Sequence, residues 1–165
     1  KKIKEIYTRV LKGHIAVFTT NLNKINKGYL IDKRARYWLN KVNLDYGHGT
    51  GHGVGFFLNV HEGPQAISKY NNITLKKGMI LSNEPGYYKE NKFGIRIENL
   101  VFIDKEKECI KFKNLTLAPL DRGLIDNKLL TKKEKNYISE YHTEIYSKIA
   151  KFLNNKEKKW MLSLI

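Results

Sequence analysis

The sequence predicts an α+β fold, an antiparallel sheet with flanking helices. Three observations lead there. Apolar residues recur at helical spacing at both ends of the chain, and from Ile73 the period changes to two. Between these regimes lies a stretch, 47–64, that holds six of the twelve glycines and three of the five histidines. With 165 residues the chain is one domain by size, long enough to bury roughly two-thirds of its unfolded surface.

In the first helix, 1–20, Ile3, Ile6, Tyr7, Val10, Leu11, His14, Ile15 and Phe18 fall at steps of three and four and form an inward stripe. His14 lies near that stripe and reads as a packed or surface residue rather than a ligand. Residues 21–29 are a polar loop. Asp32 is placed to cap a second helix reaching about Asn40, with Ala35, Trp38 and Leu39 facing the core.

The glycine-histidine stretch follows. His48 and His52 stand four apart, the spacing that puts two zinc ligands on one helical face. Gly49, Gly51 and Gly53 exclude that helix, since each costs about 1 kcal/mol relative to alanine. The imidazoles are therefore expected on a loop running into a strand at 56–60, stopped by Gly63 and Pro64.

A polar loop at 68–72 and a turn at 76–78 lead to a short strand, 79–81. It ends in Ser82-Asn83-Glu84-Pro85-Gly86, which delivers the Glu84 carboxylate at a strand end. Tyr87 and Tyr88 could pack in the core or touch substrate. After a turn at 91–94, alternation over 95–103 places Arg96 and Glu98 on one face, Ile95 and Ile97 on the other. A further strand is expected over 110–117. Thr131 and Glu134 form a capping box for a helix from Lys132 to about Leu153 that buries Tyr137, Ile138, Tyr141, Ile145, Ile149 and Phe152. A last short helix carries Trp160, Leu162 and Leu164. Trp160 could cap its own core or join an interface.

The charge is strongly basic, 31 Lys and Arg against 16 Asp and Glu, a net +15. The lysines are spread along the chain without a compact basic block, so they read as solvated surface, and neither nucleic acid nor membrane is expected as a partner. Cys109 is the single cysteine and excludes an internal disulfide, which fits a reducing, cytoplasmic compartment. No run approaches the ~18 apolar residues that a membrane span needs. The chain opens at Lys1 without an initiator methionine, and is expected to be a piece of something larger.

His52, Glu84 and Glu98 together make a mixed nitrogen and oxygen set, suited to Zn, Mn, Co or Fe(II). Spacing alone does not establish it, because Glu98 beside Arg96 could be an ordinary surface pair. Four motifs add to it: His48-Gly-Thr-Gly-His52-Gly-Val-Gly, Asn59-Val-His61-Glu-Gly-Pro64, Asn83-Glu84-Pro-Gly-Tyr-Tyr88 and Gly94-Ile-Arg-Ile-Glu98-Asn99. In this order they resemble eukaryotic-type aminopeptidase P (Xaa-Pro aminopeptidase), a metallopeptidase of the creatinase and methionine-aminopeptidase pita-bread fold. The resemblance runs over nearly the whole chain and is densest over 45–100.

It implies that residues 1–165 are the C-terminal part of the catalytic domain, with a curved antiparallel sheet and a helical extension from about 131. It also implies two divalent ions, most often Mn²⁺ with Zn²⁺ or Co²⁺ as alternatives, held by two aspartates, one histidine and two glutamates. The positions that match are His52, Glu84 and Glu98, with Glu98 bridging. No segment here matches the two aspartates, so the piece by itself is expected to be inactive. By the same resemblance Glu84 moves a proton, His61 and His48 bind and polarise the substrate, and Arg96 orients the carboxylates. The substrate would be a peptide with proline in second place and the product its released first residue, and the resemblance suggests a homodimer. The alternative is a metal-free binding module of the same fold, for protein or nucleic acid.

Overall fold

A computed structural model describes residues 2–57 and 59–164. The chain divides into two compact units, Arg9–Thr116 and Lys1–Thr8 with Leu117–Ile165.

In the larger unit most of helix α1 (Lys2–Phe18) packs on helix α2 (Gly28–Asn40). Gly13 makes this possible, because a Cβ there would fall on the main-chain carbonyl of Ala35. Ile6, Tyr7, Val10, Leu11, His14 and Ile15 of the α1 stripe are buried, His14 completely, while Phe18 is partly buried and Ile3, in the first turn, is exposed rather than turned inward. α2 starts earlier than its sequence signal suggests. Lys27 bridges Thr74, which fixes the helix start there without a side-chain cap. Asp32 is therefore not the cap: it lies one turn inside the helix, buried, facing Arg36.

The strands are β1 (Gly51–His52), β2 (Ala66–Ile67), β3 (Ile80–Asn83), β4 (Gly86–Lys89), β5 (Phe93–Arg96), β6 (Asn99–Glu106) and β7 (Cys109–Asn114). All pair antiparallel, as β1 with β2, β3 with β6 with β7, and β4 with β5. The single strand expected over 95–103 is thus two. Its first part turns back on β4 as a hairpin, its second runs along β3, and the break falls at Ile97 and Glu98. Val17, Leu22, Ile31, Ala35, Ile67, Leu75, Leu81, Val101, Ile103 and Phe112 form the core of this unit.

No strand forms at Phe56, Phe57, Asn59 or Val60, and Leu58 lies outside the described residues. The apolar run has β-propensity, but among its described residues none pairs with another strand, and strands are stabilised by cross-strand pairs. Its backbone bonds close within the excursion instead, from Gly55 to Asn59 and from Glu62 to Gly53. Phe56 and Phe57 are left nearly fully exposed, ring against ring.

In the smaller unit, α3 (Lys132–Ile149) begins with the expected Thr131–Glu134 capping box. Tyr137, Ile138, Tyr141 and Ile145 are buried along it, and Tyr137 stacks on Tyr141. The Tyr141 hydroxyl donates to the carbonyl of Ala118, and Nε2 of His142 accepts from the amide of Leu120, which ties 118–120 to the helix. α3 ends before Phe152, which sits in a 3₁₀ turn and is exposed rather than buried. α4 (Asn155–Leu162) buries Met161, while Trp160 and Leu162 stay about half exposed. Among the described residues, no helix is long and apolar enough to cross a membrane.

Candidate metal centre

The register of β3 on β6 brings the two glutamates together. Asn83 pairs with Asn99, so the residue after the first and the residue before the second, Glu84 and Glu98, leave the ladder side by side. His52 arrives from β1, which lies against β3 through a bridge between Gly53 and Leu81. That approach requires glycine, since a Cβ on Gly51 would overlap the carbonyl of Ser82. His52 thus stands on a two-residue strand and not on a free loop.

The outcome is a cluster in which one ligand atom each of His52, Glu84 and Glu98 lies within 4.8 Å of the others. Nδ1 of His52 is 3.1 Å from the carbonyl of Gly53, which can only accept, so that nitrogen carries the proton of the neutral ring. Nε2 then turns its lone pair toward Oε1 of Glu84, 3.3 Å away. Two acceptors aimed at the same space suit a cation, and the imidazole-carboxylate set suits a hard or borderline one. These residues fit a divalent metal.

Glu84 is buried and held on three sides. Its amide donates to the carbonyl of Thr50 at 2.8 Å, its Oε1 accepts from the hydroxyl of Ser82 at 2.9 Å, and its Oε2 meets Arg96 Nη1 at 3.0 Å. Ser82 also accepts from the amide of His52 at 2.9 Å, so one buried hydroxyl joins two members of the cluster.

Arg96, at the end of β5, and Glu98, in the break before β6, are both exposed, so they meet at a strand break and not on one face of a continuous strand. Nε of Arg96 donates to the Tyr88 hydroxyl at 2.7 Å. That hydroxyl lies 3.0 Å from Nε2 of His48, whose Nδ1 is 2.7 Å from the carbonyl of Gly49. With the carbonyl accepting, the bonds run one way: arginine to phenol, phenol to imidazole, imidazole to main chain. The Tyr88 bond, aided by Glu84 and Glu98, raises the Arg96 pKa and keeps its charge. His61 comes to the cluster from the far side of the excursion, its ring centroid 4.1 Å from that of His52.

The structure therefore gathers His48, His52, His61, Glu84, Arg96 and Glu98 in one region of the larger unit. Tyr88, open between core and site on sequence grounds, belongs with them. Ser82 and Thr50 were not foreseen. Their signal in the sequence is position alone: Thr50 stands inside the first motif and Ser82 immediately before the third.

The metallopeptidase family M24 matches residues 1–105, and the C-terminal region of peptidase M24 matches 108–163. The chain belongs to metallopeptidase family M24, and its α+β architecture is the pita-bread fold. The resemblance to aminopeptidase P holds along the chain. A probable Xaa-Pro aminopeptidase P of Coprinopsis cinerea is 47% identical over 163 residues, covering 92% of this chain and 26% of the relative. One of Botryotinia fuckeliana is 46% identical, covering 93% of this chain and 25% of that relative. Among solved structures, an X-prolyl aminopeptidase from Caenorhabditis elegans, described as a cytosolic enzyme with a di-nuclear active site, superposes with a TM-score of 0.88 at 35% identity. It covers 99% of this chain and 28% of its own. Prolidase from Pyrococcus furiosus matches less closely, with a TM-score of 0.61 at 32% identity over 70% of this chain and 33% of that one. The chain spans about a quarter of the length of the curated relatives it matches.

Proposed function

We propose that the chain is the C-terminal part, with its helical extension from about 131, of the catalytic domain of a metal-dependent Xaa-Pro aminopeptidase. Its peptidase would remove the first residue of peptides that carry proline second. The observation that carries this reading is the convergence of His52, Glu84 and Glu98 on one point. A metal-free binding module has no physical need for three ligand atoms aimed together.

His52, Glu84 and Glu98 would hold a pair of divalent ions, Mn²⁺ first among them. When bound, such ions lower the pKa of water and polarise a carbonyl. Glu84 receives the proton released from the attacking water and passes it to the leaving proline nitrogen. Its carboxylate is aimed by Arg96 on one oxygen and Ser82 on the other. His61, beside His52, donates to the scissile carbonyl as negative charge develops there. One such donor contributes about 3 kcal/mol. His48, oriented by Tyr88, binds the peptide next to it. The enzyme works in the cytoplasm as a homodimer, to whose contact the exposed Trp160 and Leu162 contribute.

The test uses the parent protein with Mn²⁺ and an Xaa-Pro peptide. Release of the first residue is expected, and Glu84→Gln should abolish it. Undiminished activity in that variant would remove Glu84 from the chemistry.

A further inference from the structure

Beneath the segment 45–50 lies a polar network that the chemistry above does not use. Asp32 and Arg36, one turn apart on α2, are buried as an ion pair with Nε 2.8 Å from Oδ2. The other donors of Arg36 all reach the segment: Nη1 meets Oδ1 of Asp45 and the carbonyl of Tyr46, each at 2.7 Å, and Nη2 meets the carbonyl of His48 at 2.5 Å. The second oxygen of Asp32 accepts from the Thr50 hydroxyl at 2.6 Å. Since that hydroxyl gives its proton to Asp32, the Tyr46 phenol, 2.5 Å away, donates to it. The Arg36 guanidinium also lies over the Tyr46 ring, 3.9 Å from its centroid.

Stability alone does not account for these charges. A buried ion pair is often replaceable by apolar residues without loss, because desolvation offsets the attraction. What apolar residues cannot supply is a set of directed bonds to a particular backbone. Residues 45–49 belong to no helix or strand, and two of them, Gly47 and Gly49, add conformational freedom. The network fixes this backbone from outside. Both ends of it then enter the metal centre, His48 through its imidazole and Thr50 through the carbonyl that receives the Glu84 amide.

We propose that Asp32, Arg36 and Thr50 are positioning residues for the metal centre, anchoring 45–50 to α2 and so setting where His48 and Glu84 stand. The proposal rests on the roles given to those two residues above. It makes α2, a helix with no ligand of its own, part of the apparatus that holds the carboxylate in place.

Thr50→Val removes the hydroxyl at nearly constant volume, and Thr50→Ser restores it. In the parent protein Thr50→Val should weaken Mn²⁺ binding about ten- to a hundredfold in calorimetry, the range for lost outer-shell partners, and lower kcat on an Xaa-Pro peptide comparably. KM should rise as well, by a smaller factor than the fall in kcat, because the segment that carries the peptide-binding His48 is anchored by the same network. Thr50→Ser should stay near wild type in every measurement. Wild-type Mn²⁺ affinity and kcat in Thr50→Val would overturn the proposal, and so would an equal loss in Thr50→Ser, since the hydroxyl would not be the cause. Should Thr50→Val not fold, Tyr46→Phe takes only the second partner from that hydroxyl. A loss of about two- to tenfold is then expected in the same measurements, and no change would again overturn the idea. A parent protein without peptidase activity would refute the proposed function, while the Mn²⁺ comparison between Val and Ser would still decide the positioning role.

Discussion

Arg96 holds Glu84 by one edge and Tyr88 by another: Nη1 stands 3.0 Å from Oε2 of the carboxylate while Nε donates to the phenol at 2.7 Å. A planar guanidinium can span two partners at a fixed angle, and a lysine ammonium is a point charge that cannot. In the parent protein, Arg96→Lys should therefore keep the charge and still lower kcat/KM on an Xaa-Pro peptide, by about tenfold or more, the cost of a lost charge-assisted bond. Retained kcat/KM would mean that only the charge matters there.

Ser82→Ala should act on two members of the centre at once. It strips one bond from the Glu84 carboxylate and leaves the His52 amide without its acceptor. The Ser82 side chain is fully buried, so water cannot take over. Calorimetry should show Mn²⁺ affinity falling at least about tenfold, and urea unfolding a loss of about 1–3 kcal/mol.

His14 predicts an acid-sensitive core. It is completely enclosed, neither ring nitrogen has a hydrogen-bond partner among the described residues, and burial pulls its pKa from 6.5 down to about 4. The unfolded chain thus takes up the proton first. The contribution of His14 is whole above pH 6.5 and is lost as pH falls through about 4, by at most about 3 kcal/mol. His14→Leu, which cannot titrate, should flatten the fall in urea-unfolding free energy between pH 6.5 and 4. An unchanged slope would place the acid sensitivity elsewhere.

Phe56 and Phe57 are expected to be indifferent to replacement. At 87% and 91% exposure they hold no core together. Changing both to serine should alter unfolding free energy by no more than about 0.5 kcal/mol, where two buried phenylalanines would cost about 3–5 kcal/mol each. A large loss in urea titration would return this run to the interior.

The existence of the terminal helices was legible because their apolar periodicity and the Thr131–Glu134 box are local signals, whereas the end of α3 and the exposure of Ile3, Phe152 and Trp160 depend on what packs against them. The three ligand candidates were legible through their motifs. The strand at 56–60 was misread because propensity says nothing about whether a partner strand is present. Asp32 looked like a cap because aspartate favours that position, while the bridge from Lys27 to Thr74, remote in sequence, had already fixed the helix start. Thr50 and Ser82 were hidden for a different reason. Their importance lies in which backbone atoms they meet, and a sequence lists side chains without the distances between them.

The hairpin of β4 and β5 leaves the sheet just after Glu84 and rejoins it just before Glu98, with Gly86 opposite Arg96 at its base and Lys89 opposite Phe93 near its tip. Any lengthening or shortening at that tip occurs downstream of one carboxylate and upstream of the other, yet leaves the base of the hairpin where it was. The number of residues between Glu84 and Glu98 can therefore change without moving either carboxylate. Residues 90–92 offer a natural port for grafting a tag or a recognition loop beside the centre without disturbing it.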